Sequence, residues 1–273
     1  METQQLSKAK ELLNDNLHNG VLSPRSNEWR KSLFLLGIVF RSEGLAFDRK
    51  GRKEGIDSTS PSRQQAAIPF LVSADRAFEN AIRRLGELVL RFEKDNKSLM
   101  IAEPVEANQA RYMIAESYRF RAKLPRAKLR FELIGTVRTT LENQRKLHLN
   151  AANAEYENLI SRLNRQQDVS TLGDVDNVIL RNCYFLAADT LFHLERNEDA
   201  IVAYSSATNR YQHEPASLDA YLQIAACYRR LNQPKKAKGI MEQAKVVLTK
   251  MPTDLDYTKT SRFSRQQWEQ HLK

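Results

Sequence analysis

The chain has 273 residues, 41% hydrophobic and 28% charged, with a formal net charge of +10. Nine glycines and eight prolines are too few for an all-β protein, which needs turn residues far more often, so helix is expected. The longest apolar run, LFLLGIVF at 33–40, is far short of a bilayer span, and METQQLSKAKELL lacks the apolar stretch of a signal peptide. A soluble chain is expected, cytoplasmic or in a bacterial cell envelope.

The first predicted element covers residues 1–24. Ala9 and Pro24 have the same separation as Ala200 and Pro215, or Ala237 and Pro252, so the chain is expected to open on the second helix of a pair whose first helix lies upstream. In 29–97, Leu33, Leu36, Gly37 and Phe40 mark a first helix. RKGRKEGIDSTSPSRQQ, at 49–65, reads as a polar inserted loop. Ala74, Phe78 and Ala81 then mark a second helix running to Lys97. In 107–166, Ile114, Ala115 and Tyr118 fit a first helix, and Ala127, Phe131 and Ile134 a second. Leu141, Ala152, Tyr156, Leu159 and Leu163 extend that second helix to residue 166, with a degenerate repeat over 135–180 as the alternative.

The last two elements, 180–215 and 217–252, align without a gap at an offset of 37. Tyr184 meets Tyr221, Ala188 meets Ala225, Leu191 meets Tyr228, Ala200 meets Ala237, Tyr204 meets Met241, Ala207 meets Ala244 and Pro215 meets Pro252. Large and small residues at helical spacing put one apolar stripe on each of two antiparallel helices. The small residues let backbones approach, and the prolines end each unit. This series resembles the tetratricopeptide repeat, a helix–turn–helix unit of about 34 residues. Met241 replaces an aromatic, so the repeats are divergent, of a bacterial type. The resemblance implies an all-α fold, a TPR-like right-handed α-solenoid of antiparallel helix pairs over 1–273. RFSRQQWEQHLK, within a closing segment at 253–273, is expected to cap the last repeat through Phe263, Trp268 and Leu272.

RFRAKLPRAKLR, at 119–130, carries six Arg or Lys and no acid, and 111–146 holds ten basic against three acidic side chains. Ala115 and Ala127 share the separation of Ala188 and Ala200, so LPRA is expected to be the turn of a pair. The charge makes nucleic acid or another polyanion an alternative partner.

Cys183 and Cys227 match no metal or redox spacing, the five histidines are scattered, and there is no phosphate loop or nucleophile elbow. No catalytic residue, cofactor or metal is expected. By register with the family, the concave wall presents Tyr112, Glu116 and Arg119, then Phe185, Asp189 and Phe192, then Leu222, Ala226 and Arg229. Some relatives grip a C-terminal carboxylate there with Lys and Asn. Tyr112 with Glu116, Phe185 with Asp189, and Leu222 with Ala226 occupy those places here, so that clamp is not implied. The expected function is a non-catalytic scaffold that binds a peptide or protein segment. A docking or regulatory domain of a larger enzyme, or an envelope assembly protein, is a further alternative.

Overall fold

Gly37, Gly44 and Gly51 recur every seven residues on α2 (Asn27–Glu54). In the computed structural model, which describes residues 2–99 and 105–272, each glycine faces a large side chain of α3 (Pro61–Leu99). A Cβ added to Gly37 would lie 2.5 Å from Leu85, on Gly44 2.8 Å from Phe78, and on Gly51 3.6 Å from Leu71. Leu71, Phe78 and Leu85 share the spacing but run the opposite way, so the helices are antiparallel, with knobs on one and absent side chains on the other. Each glycine in a helix costs about 1 kcal/mol against Ala. Burying each opposing side chain returns about 1.5–3 kcal/mol, and the three are 3%, 1% and 0% exposed.

This contact corrects the expected loop at 49–65. Helix α2 runs on to Glu54, α3 begins at Pro61, and 55–60 alone connect them. The polar residues there are mainly the solvent sides of two helices whose inner sides meet at Gly51 and Leu71. Gly55, at φ 115°, ends α2 and donates its N–H to the carbonyls of Gly51 and Arg52.

The preceding α1 (Glu2–His18) lies on α2 through Lys10 and Glu43, 2.8 Å apart, and through the Trp29 indole, which donates to the Leu17 carbonyl. Next, α4 (Val105–Arg121) packs on the α2–α3 pair, with Phe120 stacked on Phe78 at 4.9 Å. The expected extended second helix is in fact two. The short α5 (Lys123–Lys128) stops, 129–134 turn, and α6 (Gly135–Val169) follows as one unbroken helix rather than a degenerate repeat. Phe131 and Ile134 fall in that connection, which Arg138 closes by donating to the carbonyls of Leu129 and Glu132.

The chain's contacts divide into two compact units, Met1–Glu155 and Tyr156–Lys273, with the boundary inside α6. The second unit holds the 37-residue repeat as two hairpins: α7 (Asp174–His193) with α8 (Asn197–Arg210), and α9 (Ala216–Arg230) with α10 (Pro234–Lys250). The offset survives down to single hydrogen bonds. The N–H groups of Leu194, Glu195 and Arg196 donate to the carbonyls of Thr190, Phe192 and Leu191. Those of Leu231, Asn232 and Gln233 donate to Cys227, Arg229 and Tyr228. Glu195 and Asn232 both take the left-handed conformation that this turn needs, at φ 65° and 56°. Ala122, in the matching register of the earlier pair, keeps φ −62°, so LPRA does not form that turn and the chain runs on into α5.

Ala188, Ala200, Ala207, Ala225 and Ala244 are all 0% exposed and let α7–α10 pack closely. Tyr204, Tyr221 and Leu248 join Ala188, Ala200 and Ala244 in one core with Trp268 of α11 (Arg265–His271). Phe263 meets Trp268 edge-on at 5.1 Å, and Ser264 with Gln267 forms a capping box at the start of α11.

The glycine–knob contact makes a signed prediction. Gly44→Ala drives a methyl into the Phe78 ring, an overpacking cost of about 1–3 kcal/mol against the helix-propensity gain of about 1 kcal/mol, and should lower the thermal midpoint. Gly86→Ala, where a Cβ meets nothing within 4 Å, should raise it. Shifts of the same sign in the two variants would contradict the packing account.

Candidate functional site

The basic stretch 119–130 finds many of its partners inside the first unit. Arg121 donates to Asp75 at 2.8 Å and also meets Glu79, at 3.3 Å. Lys123 binds Asp48 at 2.7 Å and lies 4.3 Å over the Phe120 ring. Asp48 is 5% exposed and also receives Arg52, at 3.1 Å. Arg130 donates to the Ile56 carbonyl. Burial holds the Lys123 ammonium below the usual lysine range, with Asp48 opposing the shift. These cations fasten α4 and α5 to α2 and α3. Arg111, 3% exposed, extends the pattern to Glu93 at 3.0 Å, and its charge acts on nearby Glu155, whose carboxyl burial pushes up.

The expected wall residues lie on α4, α7 and α9, and several are already engaged. Glu116 pairs with Arg41, and Asp189 accepts the Tyr204 hydroxyl. The Arg230 guanidinium lies 3.8 Å over the Phe192 ring, and Phe185 approaches Tyr211 at 5.9 Å. Leu222 packs half-buried on the core of the second unit, whereas Arg229 is exposed. Tyr112 and Arg119 are half-buried on α4, with Arg119 5.7 Å from the Phe120 ring.

A groove that the sequence reading missed lies in the second unit. Two hollows, about 720 and 440 Å³, are both lined by Arg210, at the end of α8. The exposed Arg210 guanidinium lies 5.4 Å from the Tyr184 ring and 5.9 Å from the Tyr211 ring and donates to the Gln167 side-chain carbonyl. Asn164 donates to the Tyr184 hydroxyl at 3.0 Å, and Arg181 pairs with Glu214 at 3.1 Å. Burial raises the Tyr211 hydroxyl pKa, with Arg210 opposing. Val178 and Val202, 46% and 71% exposed, add apolar edges. The arrangement offers guanidinium donors and ring faces beside aliphatic surface, a combination that holds a polar chain segment.

A signal for this groove was present in the sequence. One period on from Arg181, Arg210, Tyr211 and Glu214 stand Leu218, Val247, Leu248 and Met251. The repeat departs from itself where the groove forms.

Cys183 and Cys227 are buried, and burial pushes the Cys227 thiol up to about 11, so it is protonated at neutral pH. Among the described residues no group of three or more His, Cys, Asp or Glu could hold a metal ion, and no helix is long and apolar enough to cross a membrane.

No family model and no curated protein matches the chain. Among solved structures it is similar to the apo form of the quorum sensor NprR from B. thuringiensis, at 13% identity and a TM-score of 0.31, over 91% of this chain and 77% of that one. A likeness that weak adds nothing to the helix pairing described above.

The fastening of α4 has a pH consequence at His148, which stacks against Tyr118 and is held below its ordinary value of 6.5 by burial and then by Arg121, against Asp75 and Glu79. A lowered folded pKa means the unfolded chain binds the proton more readily, so this contribution is present above pH 6.5 and is lost as pH falls through it. The thermal midpoint should therefore drop on going from neutral to mildly acidic buffer, and by less in His148→Gln. Equal drops would show that another group controls the transition.

Proposed function

We propose that the chain is a non-catalytic interaction scaffold and that the Arg210 groove is a seat for a peptide or protein segment. The observation that carries this reading is the local break in the repeat. The next hairpin packs Leu218, Val247, Leu248 and Met251 at these places, yet here α7 carries Arg181, α8 ends on Arg210, and Tyr211 and Glu214 follow in the connection to α9. An extended segment crossing the groove would set a carboxylate or carbonyl against Arg210 and aliphatic groups against Val178 and Val202.

Two wall patches are further proposed surfaces, each taken by itself: Tyr112, Glu116 and Arg119 in the first unit; Phe185, Asp189, Phe192, Leu222 and Arg229 in the second. Arg230 over Phe192 and Tyr204 on Asp189 hold two of these side chains in place before any partner arrives, which reduces the ordering cost of binding. Nucleic acid at 111–146 is the weaker reading, because Arg121 and Lys123 are already paired with Asp75, Glu79 and Asp48.

Affinity capture with the intact chain, an Arg210→Ala/Tyr184→Ala variant and a Phe185→Ala/Tyr112→Ala variant separates the surfaces. The groove reading predicts that partners held by the intact chain are lost by the first variant. Identical partner sets from all three chains would rule out the groove and the wall patches.

A further inference from the structure

The second part of the chain looks neutral in total but is strongly divided. Residues 167–219 hold three basic and nine acidic side chains, and residues 220–273 hold eleven and four. The densest basic stretch is the α9–α10 turn, where RRLNQPKKAK, at 229–238, carries Arg229, Arg230, Lys235, Lys236 and Lys238 with no acid. All five are exposed. Among the described residues none of the five has an ion-pair partner, in contrast to Arg121 and Lys123 of the first unit.

Their placement works against the stability of α10. The N-terminal end of a helix carries partial positive charge and favours acids. Helix α10 has no acid in its first turn and no side-chain cap, and sets Lys235 and Lys236 there. One period earlier, in the same turn, α8 carries Glu198 and Asp199, the stabilising choice. The two hairpins share a backbone and differ in sign at matching positions. Such a departure from local preference is expected where a ligand supplies the missing counter-charge.

Resting on the scaffold reading, we infer that the α9–α10 turn is an anchoring site for an acidic segment of a partner protein. Arg229 belongs both to this turn and to the proposed wall, so a segment on the wall can continue onto the turn. The rings nearby do not serve base stacking: Arg230 covers Phe192 at 3.8 Å, and Lys236 lies 5.6 Å over half-buried Tyr228. Within the turn Leu231 is half-buried and Pro234 is the exposed apolar residue, too little apolar surface to hold a lipid interface.

Fluorescein-labelled decaglutamate is the probe, read by anisotropy at low salt, with a decathymidine oligonucleotide in parallel. Lys235→Glu/Lys236→Glu/Lys238→Glu should weaken decaglutamate binding about tenfold, the sum of three exposed ion pairs of ordinary strength. Its thermal midpoint should not fall, because acids suit the first turn of α10. The same charge change at the exposed Lys8, Arg25 and Lys31 should leave the affinity within about twofold, since those charges lie outside the turn. Equal losses in the two triple variants would reduce the effect to net charge and overturn the site. So would tighter binding of decathymidine through the same lysines, or a salt-sensitive self-association abolished by the triple variant. If the lysine triple weakens the probe while the groove and wall variants keep every captured partner, the turn stands and those surfaces fall.

Discussion

The structure depends on how closely its helix backbones can approach. Where Gly37, Gly44 and Gly51 face α3, or Ala188, Ala200, Ala207, Ala225 and Ala244 lie among α7–α10, the missing side-chain volume admits a large neighbour instead. No hairpin of this length can cover its own apolar stripe, so each small residue serves a neighbouring helix more than its own. The two units reach the same solution with different residues. The first uses glycine under Leu and Phe knobs, and the second uses alanine between tyrosines and leucines.

The second unit was legible because its repeat is intact: the 37-residue offset in sequence reappears in the φ values of Glu195 and Asn232 and in three matching hydrogen bonds at each turn. The first unit was less so. There the periodicity is seven, carried by glycines on one helix and their partners on another, and a search for one long repeat passes over it. The polar composition of 49–65 pointed to a loop because composition averages the two sides of a helix, while Gly51 and Leu71 fix only one. LPRA shared the spacing of the later turns but not their backbone, since Ala122 stays right-handed. Spacing identifies a register, and the turn itself needs residues that tolerate left-handed φ.

Charge shows the same difference between count and placement. The basic excess of the first unit suggested a surface for polyanions, yet Asp48, Asp75, Glu79 and Glu93 answer three of its cations, Arg111, Arg121 and Lys123, across helix contacts. The near-neutral second unit, which the count passed over, pairs Arg181 with Glu214 and Arg262 with Asp219 but gathers Arg229, Arg230, Lys235, Lys236 and Lys238 at one turn with no acid among them. In its hairpins, departures from the repeat mark surface that packing does not explain: Arg210 and Tyr211 at one place, Lys235 and Lys236 at another.

Amide hydrogen exchange on an Ala225→Leu chain tests mutual support between hairpins most directly. The added bulk enters a fully buried position on α9, a helix that contributes Leu218, Tyr221 and Ile224 to the core shared by α7–α10. If the hairpins hide each other's stripes, protection should fall together in α7–α8 and α9–α10. Loss confined to α9 and α10, with α7 and α8 as slow to exchange as before, would show that each hairpin stands alone and would contradict the account.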